Sequence, residues 1–167
     1  MSRDNVLSAD NQQGRLYCNL PPWYVTGFVD GEGSFHVAIY TDSRMKTKWK
    51  IIPEFHVSQR QTSRRVLDEL VNFFQCGYVK ANHAKNPKDV TYVFCVRNRD
   101  DLLTKVIPFF EAYVLMTEKA KDFRIFASVV RAMYKGMHLR ERNIKSILNR
   151  AYTMNGAGRY RRSAKRW

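Results

Sequence analysis

Two hydrophobic periods divide the chain. Residues 34–40 alternate, with Phe35, Val37 and Ile39 pointing one way and Ser34, His36, Ala38 and Tyr40 the other, which predicts a half-buried strand. Beyond a basic turn at 41–47 the pattern returns over 48–58. Trp49, Ile51, Phe55 and Val57 share one face there, and Lys48, Lys50, Ile52, Glu54 and His56 the other. A second hairpin is predicted from residues 78–83 and 90–97, joined by the turn-rich run Ala-Lys-Asn-Pro-Lys-Asp. Elsewhere the period lengthens to that of a helix. Prolines at 21 and 22 suit a first helical turn, and apolar or small residues at 20, 23, 24, 27, 28 and 31 predict a short helix ending at Gly31 or Gly33. Thr62 or Ser63 can cap a helix through Val66, Leu67, Leu70, Val71 and Phe74 that stops at Cys76 and Gly77. Asp100 or Asp101 caps the next, which breaks near Pro108. Residues 117–134 and roughly 139–152 complete the set.

The order α-ββ-α-ββ-α-α-α predicts an α+β domain with helices packed on one face of an antiparallel sheet. No segment repeats. The other sheet face then carries Ser34, His36, Ala38, Tyr40, Lys48, Lys50, His56, Lys80, Asn82, Thr91 and Arg97, with Lys46 in the turn beside them. Antiparallel sheets commonly wet one face with such residues. The same side chains are also what a major-groove reader needs, because each base pair displays a distinct donor and acceptor pattern there.

Composition narrows the choice. At 167 residues, 44% of them apolar, the chain suits one core. It divides into an N-terminal extension 1–19, a domain 20–155 and a basic tail 156–167. The formal charge is +14, of which residues 131–167 carry +10, and the last twelve residues hold five basic side chains and no acid. Such one-sided charge is the footprint of a chain that neutralises phosphates, although a solvated tail would look alike. No uncharged apolar run approaches the roughly 18 residues of a membrane span, and the first residues resemble neither a secretion signal nor a transit peptide. A soluble intracellular protein is expected, with no membrane partner. Cys18, Cys76 and Cys95 are odd in number and widely spaced, which argues for reduced thiols over a disulfide framework or zinc site.

Val25-Thr-Gly-Phe-Val-Asp-Gly-Glu-Gly33 makes two unusual demands. Gly27 and Gly31 lie four apart on one helix face, where missing Cβ atoms let a second backbone come close. Asp30 and Glu32 crowd the helix C-terminus, the negative end of the macrodipole. Something positive must compensate. If two such helices pack through their glycines, the converging carboxylates call for a cation, and oxygen ligands of this kind suit Mg²⁺. A plain turn is the other reading of Asp-Gly-Glu-Gly.

This segment, continued by Ser34-Phe35, resembles the signature of LAGLIDADG homing endonucleases, with both key glycines and both acids retained. Pro53-Glu-Phe-His-Val-Ser-Gln59 is similar to the family's second strand ending in an active-site glutamine, and Val106-Ile-Pro-Phe-Phe-Glu-Ala-Tyr-Val114 to the segment before its lysine-bearing helix. The resemblance spans Leu20 to Met133. It is nearest to single-motif, homodimeric members encoded within rRNA introns of organelles and microbes. It implies an αββαββα core with a saddle-shaped antiparallel sheet and additional C-terminal helices. It also implies a homodimer joined through Trp23, Gly27, Phe28 and Gly31.

The implied activity is site-specific hydrolysis of one phosphodiester on each strand of a pseudo-palindromic duplex, leaving short 3′ overhangs. Glu32 and the Gly31 carbonyl are the implied ligands of Mg²⁺, for which Mn²⁺ or Ca²⁺ can substitute in binding. Asp30 is assigned a structural role. Gln59 orients metal or water. The accompanying basic residues are Arg64 or Arg65, with Arg64 favoured, and Lys119 or Lys121, with Lys119 favoured. An RNA-binding maturase acting on host intron RNA and a non-cleaving DNA-binding regulator are the competing functions.

Overall fold

The computed structural model describes residues 20–82 and 90–154; the N-terminal extension, the tip of the second hairpin and the basic tail lie outside them. Helix α1 (Pro22–Glu32) starts where Pro21 turns from extended backbone and its carbonyl accepts from Tyr24 and Val25 N–H at 3.0 and 3.1 Å. Pro22 loses nothing in this first turn, where its missing N–H would have no intrahelical partner. The helix passes directly into β1 (Gly33–Thr41), which pairs antiparallel with β2 (Trp49–Arg60) from Gly33 opposite Val57 to Thr41 opposite Trp49.

β2 is longer than the alternation predicted. It runs through Gln59 and Arg60, because β4 (Thr91–Val96) continues the ladder with Gln59 opposite Tyr92. β3 (Tyr78–Asn82) pairs on the far side of β4, giving among the described residues one antiparallel sheet of order β1-β2-β4-β3.

Helix α2 (Arg65–Phe74) joins the two hairpins. Neither Thr62 nor Ser63 caps it: both lie in a 3₁₀ turn over Gln61–Ser63, and Arg64 takes the N-cap position with no side-chain cap. The helix ends on Gln75 at φ 51°, followed by Gly77 at φ 80°. Glycine is required at 77, since a Cβ there would meet a Phe94 ring carbon at 2.6 Å and the Cys95 carbonyl at 2.9 Å.

The next expectation also changes. Asn98, not Asp100 or Asp101, caps α3 (Arg99–Asp101), its Oδ1 accepting from both aspartate N–H groups at 2.8 and 3.2 Å. Pro108 does not break the helix. A π turn over Leu102–Val106 shifts the bonding so that Ile107 donates to Leu102, and α4 (Ile107–Ala112) carries Pro108 in its first turn, where its N–H is not missed. α5 (Lys119–Tyr134) and α6 (Glu141–Tyr152) follow.

The core lies between the sheet and the helices. Phe35 and Phe55 stack across the β1/β2 pair at 5.1 Å, and Phe110, Phe123 and Phe126 meet Phe35 from the helical layer at 5.1 to 5.4 Å. α5 buries Phe123, Phe126, Ala127, Val129, Val130, Ala132 and Met133, leaves Ala120 half-buried and Tyr134 60% exposed, and is packed by α6 through Ile144, Ile147 and Leu148. α1 buries Val25, Thr26 and Val29 instead of the predicted apolar set. Its second face, with Trp23, Tyr24, Gly27 and Gly31, is exposed, Trp23 by 73%. Among the described residues, no helix is long and apolar enough to cross a membrane.

Candidate active site

Two acids end α1, and the fold treats them differently. Asp30 is used within the chain: its carboxylate accepts from Met116 N–H at 2.7 Å, from Thr117 N–H at 3.3 Å and from the Thr117 hydroxyl at 2.6 Å. Burial works against its charge, but these bonds and the nearby Lys119 ammonium outweigh it and hold the carboxyl below the usual range. Asp30 therefore fastens α1 to the lead-in of α5. Glu32 stays exposed at the helix end.

Lys119 supplies the positive charge that this helix end requires. Its Nζ donates to the Val29 carbonyl at 2.8 Å, which also accepts from Gly33 N–H, and to the Gly31 carbonyl at 3.3 Å, at the negative end of the helix macrodipole. Burial lowers the affinity of Lys119 for its proton, against the pull of Asp30, Glu32 and Asp122. Lys121 points elsewhere, pairing with both oxygens of Glu118 at 2.9 and 2.7 Å. Of the two candidate lysines, Lys119 is thus the one beside Gly31 and Glu32.

Gln59 lies at the same end of the sheet, since β1 begins at Gly33 opposite Val57 and Gln59 is two residues further along the same face of β2. It lines a groove of about 450 Å³ with Tyr24 and Phe28 of α1 and with Ser63, Arg65 and Glu69 around the start of α2. Arg64 and Arg65 take different positions, both near Gln59, which stands opposite Tyr92. The Arg64 guanidinium lies 4.7 Å from the Tyr92 ring centroid and 3.5 Å from the Asp68 carboxylate, whereas Arg65 lines the groove with Gln59.

The strand register puts the predicted polar residues on one sheet face: Ser34 opposite His56, His36 opposite Glu54, Tyr40 opposite Lys50, and Asn82 opposite Thr91. Lys80 shares that parity, and Arg97 follows the end of β4. Two members differ from expectation. Lys48 is not in β2: it closes the turn at φ 63°, its N–H bonded to Met45 and its Nζ to the Ser43 carbonyl, near the exposed Lys46. Ala38 has the right parity but is only 8% exposed, its methyl being short among longer neighbours.

Residues that pattern alone did not single out complete this face. Glu54, 7% exposed, places Oε1 2.5 Å from Arg97 Nε and Oε2 2.9 Å from His56 Nε2. Burial lowers the affinity of His56 for a second proton, against the attraction of Glu54. Tyr78 hydrogen bonds to Cys95, which stands in register opposite His56. The period of two did put Glu54 on this face, but it carries no information on which exposed-side residues a neighbour covers.

The LAGLIDADG endonuclease family model matches residues 25–130, from α1 through most of α5. This chain belongs to that family. It is 39% identical to the homing endonuclease I-TnaI, whose crystal structure superposes with a TM-score of 0.76 over 83% of this chain and 90% of that one. I-SmaMI, bound to an uncleaved DNA target in the presence of calcium ions, is 31% identical with a TM-score of 0.76, over 81% of this chain and 45% of that chain. Among curated proteins, a probable intron-encoded endonuclease of Neurospora crassa is 31% identical over 84% of this chain. The chain spans 30% of the length of that relative and 24% of a second one from the same organism. The matched region contains both glycines and both acids of α1.

Proposed function

We propose that two copies of this chain pair through the outward face of α1 and hydrolyse one phosphodiester on each strand of a long, pseudo-palindromic DNA duplex. The observation that carries this reading is the state of α1. A Cβ placed on Gly27 or Gly31 would meet no atom within 4 Å among the described residues, so neither glycine is explained by packing inside one chain. Trp23 and Tyr24 flank this open strip, and it ends at Glu32 and Lys119. A twofold-symmetric seam along it would bring two Glu32 carboxylates together and mirror the symmetry of the target.

The donor set at this end of α1 fits a hard divalent cation: an exposed carboxylate, a helix-terminal carbonyl and a negative macrodipole end. Glu32 and the Gly31 carbonyl would hold Mg²⁺, with Mn²⁺ or Ca²⁺ able to take its place in binding. When bound, the ion supplies activation of water and neutralisation of charge on the leaving oxygen. The residues do the rest. Water oxygen forms a bond to phosphorus as the P–O3′ bond breaks, and the 3′ oxygen leaves with a proton. Gln59 orients the attacking water, and the Lys119 ammonium, already fixed on α1, faces the developing negative charge. Ser34, His36, Tyr40, Lys50, His56, Lys80, Asn82, Thr91 and Arg97 hold the duplex against the outward sheet face.

Replacing the Glu32 carboxylate by an amide tests the assignment. In Mg²⁺ with DNA spanning the chain's insertion site, Glu32→Gln is expected to cut at least a hundredfold more slowly while retaining duplex affinity. Cutting by that variant at the wild-type rate would refute the role of Glu32. Wild-type cutting undiminished by EDTA would refute the role of the ion.

A further inference from the structure

Resting on the DNA reading just given, we propose that Glu54 is a positioning residue that presets Arg97 as a guanine reader on the outward sheet face. Glu54 stands in the middle of β2 on the side that alternation assigns to solvent, yet it is 7% exposed. A buried carboxylate is tolerated only where its charge is matched, and here the Arg97 guanidinium matches it, Nε lying 2.5 Å from one oxygen, while His56 Nε2 lies 2.9 Å from the other without hydrogen-bond geometry. An acid on a surface meant for phosphates weakens non-specific attraction. What Glu54 adds must therefore be orientation.

Arg97 is placed to use it. The residue lies just past the end of β4 with 45% of its side chain exposed, and it spends Nε on Glu54. The two Nη groups then form a terminal fork, the geometry that meets O6 and N7 of guanine together and that lysine cannot reproduce. Docking on Glu54 removes rotamer freedom at folding, so less is lost on binding. The support is continuous across three strands: His56 on β2 faces Cys95 on β4, and Cys95 accepts from the Tyr78 hydroxyl on β3. Glu54, His56 and Cys95 bring one ligand atom each within 4.8 Å of the others, but Arg97 already occupies Glu54 and Tyr78 occupies Cys95, so the cluster is a polar network and not an ion site.

The test starts with the full chain selecting duplexes from a randomised pool. Dissociation constants are then measured on the selected duplex and on all its single-pair variants. For Arg97→Ala, the preference for one G·C pair per half-site is expected to flatten by roughly tenfold. Arg97→Lys should lose the same preference with an unchanged salt slope. Glu54→Gln and Glu54→Asp should flatten that same position, leave non-specific affinity within about twofold, and add nothing when combined with Arg97→Ala. Circular dichroism melts confirm that each variant is folded, and the shorter Glu54→Asp serves if the amide does not fold. Full guanine preference in both Glu54 variants would overturn the proposal, as would an Arg97→Ala variant that changes no position. A wild-type chain that selects no sequence at all would remove the DNA reading itself, and this inference with it.

Discussion

Gly27 offers an experiment in which stability and assembly move in opposite directions. Gly27 lies in the interior of α1, away from the positive-φ positions, with nothing within 4 Å of a built Cβ. For the isolated chain, Gly27→Ala should therefore stabilise the fold by about 1 kcal/mol, the helix-propensity difference between the two residues. That is roughly 2–4 °C in melting temperature for a domain of this size. Gly27→Leu gains most of the same increment. If the glycine strip is a twofold seam, each added side chain collides with the partner helix. Overpacking costs about 1–3 kcal/mol per site, and symmetry counts it twice, so the dimer should weaken roughly thirtyfold or more. Sedimentation velocity across a concentration series reads the assembly. Melts taken at concentrations where the wild type is monomeric read the fold. A Gly27→Leu chain that dimerises like wild type would refute the seam, and one that melts lower as a monomer would refute the claim that this face is open.

Two other substitutions report on how the site is held. The Asp30 carboxyl has its folded value below the ordinary one, so the stability it contributes is present above about pH 4 and lost as pH falls through the lowered folded value. Asp30→Asn should cost about 1 kcal/mol at pH 7 and abolish that part of the acid sensitivity, measured by urea unfolding from pH 2 to 7; an unaltered pH profile would count against the fastening role. Gly77→Ala meets both a positive φ and a 2.6 Å approach to Phe94, and should destabilise by more than about 1 kcal/mol in the same assay, an outcome that a neutral result would contradict.

Much of this was legible before any coordinates. The alternation of Phe35, Val37 and Ile39 with Ser34, His36 and Tyr40 set the two faces of β1, and the register bears it out. What pattern missed were points decided by side-chain reach, by a local change of helical bonding, or by a distant group. Asn98 takes the cap expected of its aspartate neighbours, because its Oδ1 is the oxygen within reach of their N–H groups. A π turn absorbs Pro108. Arg64 lies over Tyr92, a ring brought there by the β2/β4 ladder and not by proximity in the chain.

By itself the amino-acid order determined the strands, the glycine-bearing helix and the two acids at its end, because these depend on periods of two and 3.6 and on spacing within a few residues. Only the tertiary structure decided that Asp30 is bound to the lead-in of α5 while Glu32 stays exposed, and that Lys119 rather than Lys121 reaches the α1 carbonyls. It likewise paired Glu54 with Arg97. These partners are 43 to 90 residues apart or lie on separate elements, and the direction of a side chain across such a gap is set by packing, which no local pattern encodes.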